Sequence, residues 1–447
     1  MPLSRRQLLA SAGAVTAAGM LPRWAFADGT TPTDPDRYFV FAYFFGGWDV
    51  LLALDPRDPD TFNEDRLAET GILPAYDQQD AALGAQPLIE TGIDGMVFGP
   101  YIGELARHAD KMAVIRGMAM GTVAHTTGQR HANTGRLPAG NTVRGSSMGT
   151  ILASLLASDE TIPNLTVGVE SFNLDHPQWA GAVGANNAND LVDSLSPGQV
   201  TLAAAERDAL ERFFADERAA TRRPWVQNAL ANRKTSRLLI EQEIAELFDV
   251  NQDSVQMNIL RDRFGINDGS TGVGGSRALI AAQALTNGVS RCVSFRAANN
   301  LDSHNGDEWR GDHGPRIQSG YNAVAALIDS LAATPYKNTP DSWLDHTTIV
   351  LQSEFCRTPN LNSRGGRDHH ITNSCVLIGA GIKGGQVIGA TSDFKLGAQA
   401  VDLSSGQLTS GGEFIENEHI SRSLLHSIGV TEDVADFRTP ALLAALR

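Results

Sequence analysis

Cysteine is almost missing from this chain: Cys292, Cys356 and Cys375 are the only three in 447 residues. Three scattered thiols cannot build a disulfide scaffold. No Cys–His pair of zinc-site spacing surrounds Cys356, although its place beside Glu354 leaves a reactive or ligand role open. Cys292 and Cys375 sit in apolar runs and read as small buried hydrophobes. Positive charge is also short. Lys and Arg total 36 against 51 Asp and Glu, a formal net charge of −15. Nucleic acid binding needs clustered cations, so that class is excluded. Small anionic substrates stay open, because a bound metal inverts the local field. Beyond residue 27 no apolar run is long enough to cross a bilayer, so no membrane span is expected in the mature chain. No fixed repeat is visible, which excludes a solenoid.

The first 27 residues stand apart. Ser4-Arg5-Arg6-Gln7-Leu8-Leu9 is a twin-arginine pattern, Leu8 to Leu21 is a short Ala- and Gly-rich apolar stretch, and Ala25-Phe26-Ala27 is a small-residue cleavage site. Residues 1–27 are therefore expected to be a signal peptide, with the twin-arginine translocase as partner and a periplasmic or secreted destination. That route carries folded proteins and suits one that takes up its metal before export.

The rest, residues 28–447, alternates strands and helices. Tyr38 to Phe45 is continuously apolar, as a strand buried on both faces should be. Further strands are expected at 112–117, 164–169, 291–295, 347–352, 374–378 and 386–388. Helices are expected at 102–111, 146–156, 278–285, 318–331 and 420–428. A polar loop is expected to carry His125 and His131, and Asp268 to Gly275 reads as a flexible loop. Residues 200–264 are charge-dense with helical spacing, and are expected to form either an inserted lid or ordinary packing helices. Strand–helix alternation implies a mostly parallel sheet covered on both faces.

Acids and imidazoles collect where these strands end. Asp49 follows the first, Asp302-Ser303-His304 follows the 291–295 run, and Glu354 follows 347–352. Asp368-His369-His370 sits in a Gly-flanked loop. Strand exits of an open α/β sheet converge on one crevice. Such a set suits a divalent metal (Zn, Ca, Mg or Mn), or a pair, with mixed oxygen and nitrogen ligands. A polar crevice with no ion is the alternative. Asp307, Asp312 and His313 extend the 302 loop as supporting groups. Arg357 and Arg367 flank the clusters and could steady a bound phosphate or sulfate. For a nucleophile, His125-Thr126-Thr127-Gly128 follows the 112–117 strand. Thr126 is the candidate there, with a turn-capping role as its plain alternative. Water activated by the metal is the other option.

Several pieces carry a resemblance. They are the twin-arginine leader, Phe45-Gly46-Gly47-Trp48-Asp49, Val114 to Met118, His125 to Gly128 with Thr134-Gly135, and Asp302-Ser303-His304. Ser353-Glu354-Phe355-Cys356-Arg357-Thr358-Pro359, Gly366-Arg367-Asp368-His369 and Gly381 to Gly385 complete the series. In this order they resemble the exported DUF1501 proteins, a branch similar to the alkaline phosphatase and sulfatase superfamily. The resemblance implies an α/β, alkaline-phosphatase-like three-layer sandwich, a mostly parallel sheet with helices on both faces. By it, Asp49, Glu354, Asp368 and His369 are metal ligands, Asp302 and His304 complete the site, and His419 matches a late ligand. Two departures stand out. Cys356 replaces the usual glycine, and Ala124-His125 stands where many relatives have Ser-His. The reading is an exported metal-dependent hydrolase of phosphate or sulfate esters, with His125, Thr126 and Arg357 as catalytic residues. Its substrate is expected to be a small anionic ester or a polysaccharide. The alternative is a non-catalytic exported protein that keeps the fold and binds a metal, a polysaccharide or a protein partner.

Overall fold

The computed structural model describes residues 29–80, 88–157, 160–196 and 244–447, with isolated positions between 203 and 212. The leader and most of the charge-dense 200–264 stretch lie outside the described residues. Strand β1 (Tyr38–Phe44) is central and every residue in it is buried. Tyr38, Val40, Ala42 and Phe44 enter one apolar core, and Phe39, Phe41 and Tyr43 enter another on the opposite face. Period-two side chains feeding two cores explain why the sequence is apolar throughout.

The other strands follow in chain order: β2 (Ile89–Glu90), β3 (Val97–Phe98), β4 (Met112–Ala119), β5 (Asn164–Val167), β6 (Val183–Ala185), β7 (Cys292–Ala298), β8 (Thr347–Gln352), β9 (Cys356–Arg357), β10 (His369–His370), β11 (Thr372–Gly379) and β12 (Gln386–Ile388). Eight of them form one sheet in the order β12-β4-β11-β8-β1-β7-β5-β6. Neighbours pair in parallel except where β11 meets β4 and β8. The expectation of a mostly parallel α/β sheet is met.

Helices lie on both faces. The longer ones are α1 (His125–Thr134), α2 (Met148–Leu156), α3 (Ala188–Leu195), α4 (Val255–Arg263), α5 (Gly272–Thr286), α6 (Gly314–Ala333) and α7 (Asn417–His426). Residues of α3, α4, α5 and α6 enter the core with Val40 and Phe44, and residues of α1, α2 and α7 enter the core with Phe41 and Tyr43. Three layers result. Among the described residues no helix is long and apolar enough to cross a membrane.

Two stretches differ from their sequence reading. The polar loop at 125–134 is helix α1, whose buried side carries His131, Ala132, Asn133 and Thr134 rather than a row of large hydrophobes. Apolar periodicity could not reveal it. The glycine run ending at Gly275 was expected to be flexible, yet Gly272 to Gly275 form the first turn of α5. A Cβ on Gly274 would lie 2.3 Å from the Ala297 carbonyl oxygen, so the glycine lets the helix press onto β7.

Gly128 performs the same service for the site. A Cβ there would sit 2.7 Å from the Glu354 carbonyl oxygen and 2.9 Å from its Cβ. Gly128→Ala is expected to push α1 off the β8 exit and to cost about 1–3 kcal/mol, read as a lowered midpoint in urea unfolding.

Candidate metal centre

Topology decides what meets here. Strands β1, β4, β7 and β8 run in one direction, so Gly46, His125, Asp302 and Glu354 follow their carboxyl ends onto one edge. Strand β11 runs the other way. Its beginning therefore lies at that same edge, and the residues just ahead of it, Asp368 to His370, arrive there too.

Three imidazoles converge on one carboxylate oxygen. Asp302 Oδ1 lies 3.3 Å from His125 Nε2, 3.0 Å from His304 Nε2 and 3.4 Å from His369 Nε2. His304 Nε2 and His369 Nε2 are 3.0 Å apart. His125, Asp302 and His369 each offer a ligand atom within 4.8 Å of the others, and His304 joins them through Asp302 and His369.

The far nitrogen of each ring fixes its tautomer. His125 Nδ1 donates to Glu354 Oε1 at 2.9 Å, His304 Nδ1 to Asp368 Oδ1 at 2.7 Å, and His369 Nδ1 to the Val123 carbonyl at 2.7 Å. Carboxylates and carbonyls only accept, so in a neutral ring the proton is on Nδ1 and the Nε2 lone pair faces the cluster. His125 Nε2 is buried and has no hydrogen-bond partner among the described residues. Lone pairs and a carboxylate oxygen aimed at one another repel unless a cation or a proton sits among them.

Ionisation follows the same logic. Burial works against a charge on His125, but the bond to Glu354 and the charges of Glu354 and Asp302 outweigh it, raising its pKa above 6.5. Burial would raise Asp302, yet the Arg357 hydrogen bond and charge, with His125 and His304, bring it down to about 2. Burial and the Arg357 charge hold His369 below 6.5. The His304 hydrogen bond is the chief cause lowering Asp368.

This donor set fits a metal. Tetrahedral zinc with bonds of about 2.0–2.1 Å has ligand atoms roughly 3.3 Å apart, close to the spacings around Asp302. Rings held from behind by carboxylates and a carbonyl are the usual support of metal-bound histidine.

The other expected residues fall elsewhere. Glu354 is buried, and its Oε1 accepts from Gly46 N–H, Gln129 Nε2 and His125, so it stands behind His125. Asp368 stands behind His304. Asp49 is not in the cluster. It is buried against Arg367 Nε at 3.0 Å and accepts from Trp309 Nε1 and Leu51 N–H. Arg357 is wholly buried, and its guanidinium donates to the carbonyls of Gly46, Gly47 and Arg367 and to Asp302. Arg367 donates to the carbonyls of Leu73, Pro74 and Thr358. Neither arginine presents a donor to an outside anion, because the apolar interior and these acceptors consume both.

Thr126 is exposed in the first turn of α1, and no hydrogen bond among the described residues ties it to the histidines. His419 packs in α7, accepts from Glu416 N–H and lies 3.4 Å from Glu413. His313 is buried against Ser303 Oγ at 2.7 Å, so it supports the 302 loop. All three cysteines are buried and unpaired. Gly145-Ser146-Ser147-Met148-Gly149 has the spacing of a nucleophile elbow. Ser147 instead precedes helix α2 with no strand leading into it, and its buried Oγ accepts from Phe172 N–H. The ligand that sequence reasoning placed in another role is His125, and its pairing with Ala124 in the resemblance was the only sequence signal.

No curated protein matches the chain. Solved structures similar to it include a protein in the alkaline phosphatase superfamily from Vibrio parahaemolyticus, 10% identical at a TM-score of 0.35 over 96% of this chain and 76% of that one. Ps i-CgsB in complex with k-i-k-neocarrahexaose is 9% identical at a TM-score of 0.35, over 89% of this chain and 73% of that one. A TAB5 alkaline phosphatase mutant with Mg bound is 9% identical at a TM-score of 0.30, over 78% and 92%. These likenesses are loose. The family described as "Protein of unknown function (DUF1501)" matches residues 40–410, and the chain belongs to that family.

Proposed function

We propose that this protein is an exported, metal-dependent hydrolase of phosphate or sulfate esters. The convergence of His125, His304 and His369 Nε2 on Asp302 Oδ1 supports the reading most directly. These four residues would hold the ion. Imidazole-rich ligation favours zinc or a similar transition ion over calcium or magnesium. A bound divalent cation supplies Lewis acidity and makes water a competent nucleophile near neutral pH.

The chain's own groups set the stage. Glu354, Asp368 and the Val123 carbonyl lock the three rings and, in each neutral ring, hold the proton on Nδ1 so that the Nε2 lone pair faces the cluster. Arg357 holds Asp302 ionised and in place, a positioning role rather than a contact with substrate. Phe355 packs against His125 and His369 with ring centroids 4.8 and 4.3 Å away, walling water from one side. The Asp302 side chain stays about half exposed, so the open side of the cluster faces solvent. Nothing in the geometry activates Thr126, and water is the preferred nucleophile. The second reading, an exported metal or polysaccharide binder without turnover, draws on Ala124 standing where relatives carry serine.

Purified mature protein tests this with elemental analysis and a panel of aryl phosphates and sulfates. Turnover is expected, lost on chelation and restored by zinc, and kept in Thr126→Ala. Metal-free, inactive protein whose fold ignores chelator would overturn the proposal and favour the second reading. Glu354→Gln keeps the shape but weakens the support of His125. It is expected to lower metal affinity about 10–100-fold, measured by competition with a chromophoric chelator.

A further inference from the structure

A cavity of about 260 Å³ opens beside the histidine cluster, with Asp368, His370, Lys395, Thr358, Asn360 and Leu361 in its lining. Asp368 belongs to both places. Its Oδ1 accepts from His304 Nδ1 and from Asn362 Nδ2, while its Oδ2 has no partner among the described residues. The cavity is thus one hydrogen-bonded imidazole away from Asp302.

Lys395 is the cavity's cation, and no carboxylate pairs with it among the described residues. Its ammonium rests only near the Phe394 ring, 5.2 Å from the centroid. The backbone is strained to hold it there. Lys395 and Leu396 are consecutive left-handed residues, with φ of 51° and 50°. Such a conformation persists in a non-glycine residue only where surrounding contacts impose it. The contacts are visible: Leu396 is buried, Lys395 N–H donates to Thr70 O at 2.8 Å, and Gly71 clears the lysine stem, since a Cβ there would lie 2.6 Å from Lys395 Cγ.

The lining mixes one ammonium without a carboxylate partner among the described residues, one open carboxylate oxygen, the amides of Asn360 and Asn362, and the apolar edges of Pro359 and Leu361. Alternating polar groups and small apolar faces suit a hydroxylated ring, whose C–H faces and hydroxyls need both. The volume falls just under the range of about 300–1,000 Å³ usual for drug-sized ligands, which suits a single ring. The unpaired ammonium calls for one negative substituent on it.

We propose that this cavity is the substrate-recognition subsite of the same centre, and that it takes a sugar ring bearing one anionic group, set against Lys395 and Asp368. The assignment rests on the hydrolase reading above for its purpose, though its binding can be measured without turnover.

The test is calorimetric titration of the mature protein, stripped with chelator, using glucose 6-sulfate, glucose and inorganic sulfate. Glucose 6-sulfate is expected to bind at least about tenfold more tightly than either of the others, a gap of about 1.4 kcal/mol. Lys395→Ala should erase that preference, and Lys395→Arg should restore most of it. Equal affinity for glucose and glucose 6-sulfate would overturn the proposal. So would inorganic sulfate binding as well as the sugar sulfate, which marks a bare anion site, or an unchanged preference in Lys395→Ala. Because the protein is metal-free in this assay, binding is read without turnover; absence of hydrolysis after zinc is restored would sink the enzyme reading while leaving the subsite result legible.

Discussion

Protein carrying Asp302→Ala is expected to emerge from purification without its metal and without hydrolytic activity. The carboxylate is the one group that touches all three imidazole Nε2 atoms. Among the described residues it is also the only negative partner within reach of Arg357. Removing it leaves a buried guanidinium, held by three backbone carbonyls, facing the site intended for a cation. The ion then loses a ligand and gains a like charge nearby, so the fall in affinity should exceed the roughly 10–100-fold typical of losing a supporting partner. Some stability should be lost with the carboxylate partner of buried Arg357, but the variant should still fold, because about half of the Asp302 side chain is exposed and water can reach the vacated position. Elemental analysis and circular dichroism on one sample decide the matter. A correctly folded variant with full metal content would end the assignment of Asp302 as a ligand.

Asp49→Asn should behave in the opposite way, keeping the metal in the native state and losing stability. Asp49 and Arg367 are both fully buried, and the guanidinium also lies 4.7 Å over the Trp309 ring. Breaking one half of a buried ion pair strands the other charge away from water and costs about 3–5 kcal/mol. That loss reads out as a shifted midpoint in urea. A stable variant depleted of metal would instead return Asp49 to the ligand set implied by the family resemblance.

These two carboxylates show what a sequence can and cannot carry. The runs at Tyr38 and Thr347 matched their strands almost to the residue, because every position in both is buried and their cores are continuously apolar. The exits were legible for the same reason. What linear order hides is which acid points forward and which stands behind a ring. Glu354 and Asp302 each follow a strand of the same sheet, yet one backs His125 and the other faces it. The reversal of β11 was hidden too, since a strand buried on both faces looks alike in either direction. Helix α1 escaped because its buried side is built from His131, Asn133 and Thr134. Arginine roles were the least legible: Arg357 and Arg367 look like surface anion donors until their carbonyl partners are seen.

His125, Asp302 and His369 are brought together only by the completed sheet, since long stretches of chain separate them. An unfolded polypeptide holds its donors far apart and has little affinity for an ion. Whatever free energy the ion releases on binding is therefore added to the stability of the native state. On the metal-centre proposal, each tenfold excess of free ion over its dissociation constant would add about 1.4 kcal/mol, and the melting temperature would become a gauge of how much metal the surroundings hold.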